Sequence, residues 1–218
     1  MKLIFTLVSL IMFLTLSGCQ HLAEKNPIIK AELTVFHELP KDFNPPTIAI
    51  VPWHQTQKSS LEFKNYAAIL KDRIEKLGFT VIDHSRKPEL ILFFDYGDDN
   101  GKDMTETYTV PDFGMIGYTG YSMNYYGFYP SMPLYGYRGY QTRTNKYTLF
   151  TRYIRIDIAQ PKINGGELDK MYEGSLRSKG TCSKLTVTLP YLIDMYFQNF
   201  PGKNNETQSL EKSWNGVC

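Results

Sequence analysis

Residues 90–94 read Leu-Ile-Leu-Phe-Phe, an unbroken apolar run that follows Pro88 and Glu89. The run has the length of an ordinary strand and consists of large apolar residues. Because it is continuous and does not alternate with polar residues, it predicts a strand that is buried on both faces or lies centrally in a sheet. The polar residues 95–101 that follow indicate a hairpin or a loop. The chain is therefore expected to fold around a sheet.

Further strand signals lie on both sides of this run. Residues 47–51 form a β-rich apolar stretch that ends at Pro52. Between residues 150 and 158 apolar and polar side chains alternate, with Arg152 as the exception. A period of two predicts a strand with one apolar face, and the chain then turns back toward residues 171–177 as an antiparallel partner. Shorter strands are expected at residues 32–37 and 79–82.

Two helices are predicted from apolar residues at helical spacing. The first begins at a capping box in which Ser59 is the N-cap and Glu62 follows three residues later. Its apolar face consists of Phe63, Tyr66, Ala67, Leu70, Ile74 and Leu77. The second face consists of Val187, Leu189, Leu192, Ile193, Tyr196, Phe197 and Phe200, and Pro201-Gly202 ends it. Both patterns place the apolar residues along one side of a helix.

The order of these elements predicts one α+β domain over residues 31–202. The two helices are expected to cover one face of a mixed or antiparallel sheet. A long Tyr/Gly-rich insertion occupies about residues 98–146. The polar residues 203–218 are interpreted as a C-terminal tail.

The N-terminus has the features of a secretory signal peptide over residues 1–18. Met1-Lys2 precedes the uncharged, mostly apolar residues 3–16, which are too few to span a bilayer. The motif Leu16-Ser17-Gly18-Cys19 then resembles the lipobox of a bacterial lipoprotein precursor. This resemblance implies lipid attachment at Cys19, cleavage before it and a tether over residues 19–30. A cysteine that stands by chance near a signal peptide cleaved elsewhere is the alternative.

The resemblance to lipoproteins also bears on the location and on the other cysteines. Gln20 follows the lipid-bearing cysteine where Asp would resemble an inner-membrane retention signal, which implies the outer membrane.

Of three cysteines, Cys182 and Cys218 then remain as an even pair in an oxidising compartment. They are expected to form a disulfide, with two free thiols or an intermolecular bond as the alternatives. No Cys-x-x-Cys spacing suggests a metal or redox site.

Several short motifs resemble a family of bacterial lipoproteins known only as a domain of unknown function. They are Lys76-Leu77-Gly78-Phe79, Lys87-Pro88-Glu89-Leu90-Ile91-Leu92, Tyr172-Glu173-Gly174, Leu189-Pro190-Tyr191-Leu192 and Phe200-Pro201-Gly202. The family usually has Asp where Glu89 stands. The resemblance covers about residues 31–202. It implies an envelope lipoprotein fold and brings no catalytic residues.

Residues 113–140 are rich in tyrosine and glycine, and Arg138 is their only charged residue. One interpretation is a variable loop that packs its own aromatic side chains over the sheet and is otherwise mobile. Another is a binding surface for peptides, glycans or a partner protein, or for self-association, because tyrosine combines a flat apolar ring with a hydroxyl. Contact with the membrane interface is a third interpretation. The candidate surface residues are Tyr118, Tyr121, Tyr125, Tyr126, Tyr129, Tyr135, Tyr137 and Tyr140.

Composition and motifs exclude several classes of function. The chain has 24 basic and 22 acidic residues, so it lacks the strongly basic character of a nucleic-acid-binding protein. The frame Asp98-x-Asn100-Gly101 is close to a calcium loop, but Tyr96 and Thr107 stand at two positions that need ligand oxygens. Asp83-His84 has no identifiable nucleophile beside it. No catalytic residue, metal site or cofactor is therefore predicted.

The sequence predicts a lipid-anchored envelope protein at the outer membrane, facing the periplasm. We expect a non-enzymatic binding or assembly module that contacts the membrane through its lipid and an envelope protein or glycan through its surface. The rival hypothesis is an enzyme acting on peptidoglycan or another glycan, with Asp95 or Asp98 as acid or base. Two carboxylates in one concave pocket, separated by about 5 to 9.5 Å, would favour the enzyme.

Overall fold

The computed structural model describes residues 27–39, 46–124, 127–130, 132–161 and 168–218. The predicted signal peptide, its lipobox cysteine Cys19 and most of the tether lie outside these ranges, as do Tyr125 and Tyr126. The described strands are β1 Ile28–His37, β2 Thr47–Pro52, β3 Thr80–Val81, β4 Leu90–Asp98, β5 Lys102–Tyr118, β6 Tyr121–Asn124, β7 Gly127–Pro130, β8 Pro133–Gln160, β9 Asp169–Gly180 and β10 Glu206–Ser213. The described helices are α1 Leu61–Lys76 and α2 Leu185–Phe197, with 3-10 turns at Gln55–Gln57 and His84–Arg86.

The strands form a large mixed sheet, and together with the two helices they make a mixed α/β fold. In the described part of the chain the sheet has eight strands in the order β10-β1-β9-β8-β4-β2-β3, with β5 paired to β8. The pairs from β10 to β4 are antiparallel, whereas β2 is parallel to both β4 and β3. The apolar run at residues 90–94 lies in β4, between β8 and β2, as its continuous character predicts.

One hydrophobic cluster joins the helices to the strands. Helix α1 buries Phe63, Tyr66, Leu70 and Ile74, which belong to its predicted apolar face. Helix α2 buries Leu189, Leu192, Ile193, Tyr196 and Phe197 from its predicted face, together with Thr188 and Met195. Residues of β1, β2, β4, β8 and β9 belong to the same cluster, together with Phe79. Each large apolar side chain buried in this way contributes about 1.5 to 3 kcal/mol relative to an exposed one.

Helix α1 begins one residue later than the capping box predicts. The N-cap is Ser60, whose hydroxyl accepts a hydrogen bond from the backbone N of Phe63 at 3.3 Å. Ser59 and Ser60 are adjacent and chemically alike, so the sequence alone could not decide between them. Glu62 stays in the first turn of the helix, where its charge complements the helix dipole.

Both ends of the described chain add to the sheet. Strand β1 starts at Ile28, inside the residues interpreted as a tether. Residues 203–218, interpreted as a polar tail, contain β10, which pairs with β1 from Ile28↔Ser213 to Val35↔Glu206. The predicted disulfide is present, because Cys182 and Cys218 are bonded with their Cα atoms 5.5 Å apart.

Candidate binding surface on the β5–β8 arm

The Tyr/Gly-rich insertion forms a two-stranded antiparallel arm. The arm consists of β5 and residues 133–149 of β8, which pair from Lys102↔Leu149 to Tyr118↔Pro133. At its far end β6 pairs with β7. No side chain of β5 or of residues 133–149 is buried. The arm therefore owes its order to the paired backbones and to contacts between its own side chains.

Two register shifts determine which side chains share a face of the arm. They lie between Asp112 and Phe113 and between Met115 and Gly117. Each adds one residue to one strand, so the alternation of side chains resumes with opposite phase. As a result Tyr140 faces the same way as Tyr137, three residues earlier. The residues that share this face, called the aromatic face below, are Phe113, Met115, Tyr118, Tyr135, Tyr137 and Tyr140.

The rings of the aromatic face pack edge to face. The centroids of Phe113 and Tyr137 are 5.9 Å apart at an interplanar angle of 63°, and those of Tyr137 and Tyr140 are 5.6 Å apart at 81°. Pairs of this geometry contribute about 0.5 to 1.5 kcal/mol beyond the burial of their area. Much of the apolar surface is still open to solvent, since Phe113 is 72% exposed and Tyr135 is 71% exposed.

The opposite face of the arm is built from smaller and charged residues. A Cβ at Gly114 would lie 2.8 Å from Cδ of Arg138, and a Cβ at Gly136 would lie 2.7 Å from Cδ1 of Ile116. These two glycines therefore leave room for the side chains of Arg138 and Ile116. Arg138 also pairs with Asp112, with Nε and Oδ2 3.9 Å apart. The charged residues of this part of the arm lie on this opposite face, and the aromatic face has none.

Of the eight tyrosines named from the sequence, four have side chains that the structure describes, and it brings these four together. Tyr118, Tyr135, Tyr137 and Tyr140 share the aromatic face. Tyr121 belongs to β6 and Tyr129 to β7, which pair at the end of the arm. Phe113 and Met115 belong to the face but were not among the predicted residues, because the bulge that turns them toward the tyrosines has no clear sequence signature.

The carboxylates named for the enzyme hypothesis do not share a cavity. Asp95 and Asp98 are three residues apart in β4, so their side chains project to opposite faces of the sheet. Asp95 is 8% exposed and accepts a hydrogen bond from the Tyr153 hydroxyl at 3.4 Å. Burial, together with the charge of Asp95, raises the pKa of Tyr153 and keeps it a donor. Within the described residues no three His, Cys, Asp or Glu side chains are grouped to hold a metal ion.

A polar cluster around Asp157 is a feature that the sequence did not predict. Asp157 is 1% exposed and pairs with Arg155 at 3.3 Å and with Lys170 at 3.0 Å. The Arg155 guanidinium lies 4.3 Å from the centre of the Trp53 ring. Hydrogen bonds from Lys170 to Glu173 and Asp157 raise the pKa of Lys170. The alternation of β8 places Arg155 and Asp157 on the polar side of the strand, but only the tertiary fold brings Trp53 over them.

These features define a mixed α/β domain with a long, solvent-exposed β arm. The chain belongs to the family described as Domain of unknown function (DUF4136), whose profile matches residues 41–202. The match agrees with the resemblance found in the sequence motifs.

Comparison with solved structures gives a distant likeness to a PDZ domain protein from Parabacteroides distasonis ATCC 8503. The sequence identity is 15% and the TM-score is 0.38. The likeness covers 86% of this chain, which spans 40% of the length of the other protein. A search among curated proteins gave no match. Of the helices in the described ranges, none is long and apolar enough to cross a membrane.

Proposed function

We propose that this protein is a lipid-anchored envelope component that acts as a non-enzymatic binding or assembly module. The observation that carries the proposal is the aromatic face, an uncharged and exposed surface on an arm that buries none of its side chains. Apolar patches of this kind mark interaction sites, because exposing them to water is unfavourable unless a partner covers them. Tyrosine and phenylalanine supply much of the binding energy at such surfaces.

The side-chain chemistry favours a protein partner over a glycan. Met115 lies on the aromatic face and is 45% exposed, and Met132 near the end of the arm is 81% exposed. Thioether side chains gain from apolar burial, but they offer little to the hydroxyl groups of a sugar. The face also lacks the carboxylates and cations that fix the orientation of a polar ligand. We therefore propose that the arm docks onto an apolar surface of another envelope protein.

The proposed location depends on the signal peptide and its lipobox. The lipobox at residues 16–19 supports attachment of acyl chains to Cys19 and, with it, a place in the cell envelope. Two or three acyl chains, at about 0.8 kcal/mol per buried methylene, would make the anchoring effectively permanent. The remainder of the tether before Ile28 would then separate the sheet from the outer membrane, with the domain in the periplasm.

The arm offers a matched pair of substitutions that tests the proposed docking. Tyr137 and Ile116 are both 51% exposed, but they lie on opposite faces of the arm. We expect Tyr137→Ser to weaken partner binding by roughly tenfold or more, as truncation of an aromatic anchor does, and Ile116→Ser to have a much smaller effect. The measurement is crosslinking in cells followed by mass spectrometry, with the yield of each crosslinked partner compared between the two variants.

Replacement of residues 113–140 by a short Gly/Ser linker separates binding from folding. We expect the melting temperature to change little, because the arm buries no side chain and loop-closure entropy depends only weakly on length. Loss of the crosslinked protein in this variant supports the docking role. An unchanged crosslinking profile would contradict the docking role. Crosslinks to a glycan would show that the partner is a glycan and that the proposed protein partner is wrong.

The anchoring proposal is tested separately at Cys19. We expect Cys19→Ser to abolish lipid attachment, so that the protein is released from the membrane fraction or stays unprocessed. Mass spectrometry of the N-terminal peptide from the wild-type protein provides the measurement. A wild-type peptide without acyl chains on Cys19 would overturn the lipoprotein assignment and would leave the docking proposal untouched.

A further inference from the structure

A cavity of about 730 Å³ lies beside helix α1, away from the arm. Its walls come from β2 and the residues after it, from α1, from β4, and from the chain at and after β3. The apolar residues that shape it include Ile50, Val51, Phe63, Ala67, Val81 and Phe93. The volume lies in the range of cavities that hold small molecules, about 300 to 1,000 Å³, and is too small for a folded partner.

Among the described residues, few side chains cover this cavity. Strand β3 has only two residues, Thr80 and Val81, so the sheet edge beyond β2 is incomplete. On the facing helix, Ala67 and Ala68 have side chains too small to fill the space. Ile50, Val51 and Phe93 are consequently only partly buried. Their apolar surface would be stabilised by an apolar ligand.

A second cavity of about 250 Å³ lies toward the far face of the sheet, where apolar side chains line it together with the ion pair of Asp157 and Lys170. Trp53, Phe93 and Leu168 line both cavities. Because they share these three residues, the two cavities adjoin, and together they are called the cleft below. A flexible hydrocarbon chain can extend from one cavity into the other, whereas a compact ring system would occupy one of them.

The charged residues of the larger cavity are mostly cations. Lys58, Lys64 and Lys71 contribute to its lining, and Asp83 is the one acidic residue there. The Asp83 carboxylate already accepts hydrogen bonds from the backbone N and the hydroxyl of Ser85, at 2.9 and 2.5 Å. Lys71 pairs with Glu75 at 3.7 Å, whereas Lys58 and Lys64 have no ion pair among the described residues. The larger cavity therefore combines apolar walls with a positive rim, and the Asp157 carboxylate of the smaller cavity is already paired with Arg155 and Lys170.

We propose that this cleft binds an anionic amphiphile, with the acyl chain against β2 and α1 and the negative head group beside Lys58 and Lys64. The apolar walls bury the acyl chain. The lysines pair with the carboxylate or phosphate of the head group, because loss of water from an unpaired anion would make binding unfavourable. This site is separate from the aromatic face, so it does not depend on the docking function of the arm.

The test uses isolated membranes from cells that produce the full chain. A medium-chain fatty acid carrying a diazirine is added and activated by light, and the labelled peptides are mapped by mass spectrometry. We expect label within residues 50–53 and 63–71, and competition by the unlabelled fatty acid. Labelling scattered over the protein surface would overturn the proposal.

Three variants test whether labelling depends on the cavity and on its lysines. Ala67→Phe fills the cavity from α1 and should reduce labelling about tenfold, which corresponds to the loss of roughly two buried methylenes. Charge reversal of Lys58 and Lys64 to Glu on the exposed rim should reduce it about fivefold. Reversal of two cations on the arm, Arg143→Glu with Lys146→Glu, is the control matched in charge and should change nothing. Undiminished labelling in the Lys58/Lys64 variant would overturn the proposal even if Ala67→Phe failed to fold.

The nature of the head group is tested with related probes. An alkyl phosphate should compete as the fatty acid does, because both carry the anion that the lysines require. The corresponding alcohol, which has the same chain without the charge, should compete about fivefold more weakly. Equal competition by the alcohol would overturn the role assigned to Lys58 and Lys64.

Discussion

Substitution of Cys218 by Ser is expected to lower the free energy of unfolding by about 3 to 4 kcal/mol. The bond joins residues 36 positions apart and closes a loop that contains α2 and β10. Without it the unfolded chain regains the freedom of that loop, while β10 keeps only its pairing with β1 and its neighbouring contacts. Since the chain has 218 residues, the melting temperature should fall by roughly 6 to 16 °C.

Cys218 is the better of the two positions for this experiment. It is exposed, whereas Cys182 is 4% exposed and its substitution would also alter the packing beside α2. Reduction of the wild-type protein should reproduce the melting temperature of Cys218→Ser, and reduction of the variant should have no further effect. Equal melting temperatures of the oxidised wild type and the variant would show that the bond does not stabilise the fold.

Substitution of Gly174 by Ala is expected to destabilise the protein by about 1 to 3 kcal/mol, although Ala is the better strand residue. Gly174 lies in the middle of β9, between Val35 of β1 and Ile156 of β8. A Cβ at this position would overlap the hydroxyl of Tyr196, which is 1% exposed in α2. Because the core holds this tyrosine on all sides, its ring cannot move away without disturbing the packing. Chemical denaturation measures the difference.

A double-mutant cycle identifies the overlap as the cause. Tyr196→Phe removes the hydroxyl, so adding it to Gly174→Ala should recover about 1 kcal/mol or more of the lost stability. The Cζ atom of residue 196 would still be 2.8 Å from the new Cβ, so the recovery should be incomplete. Strictly additive effects of the two substitutions would show that Gly174 is required for another reason.

The parts of the fold that the sequence predicts are those with a strong apolar period. Phe63, Tyr66, Leu70 and Ile74 of α1 are buried as expected, and so is the alternating set Ile154, Ile156 and Ile158 of β8. These segments contact the core on one side, so burial imposes a regular pattern on them. The motif Tyr172-Glu173-Gly174 was recognised only by resemblance, and the structure supplies a physical reason for its glycine.

Two strand segments were missed because burial imposes little pattern on them. Strand β10 lies at the edge of the sheet, and most of its side chains are exposed, so polar residues serve it well. The arm has no buried side chain, and its frequent glycines resemble those of a loop. The candidate site depends on the two register shifts, which decide the direction of Met115 and Tyr140. Such shifts follow from the pairing of two strands, and neither strand alone specifies them.

The position of β1 has a mechanical consequence under the attachment proposed at Cys19, which would hold the protein by its N-terminal segment. Strand β1 is paired over eight residues with β10 on one side and over seven residues with β9 on the other. The backbone N of Trp214 also donates to the carbonyl of Pro27 at 3.0 Å. A force that pulls on Ile28 along the strand axis therefore loads the hydrogen bonds of both ladders in shear, all at once. Peeling β1 away one bond at a time would require a pull across the sheet. The domain therefore resists a pull along β1 better than a pull across the sheet.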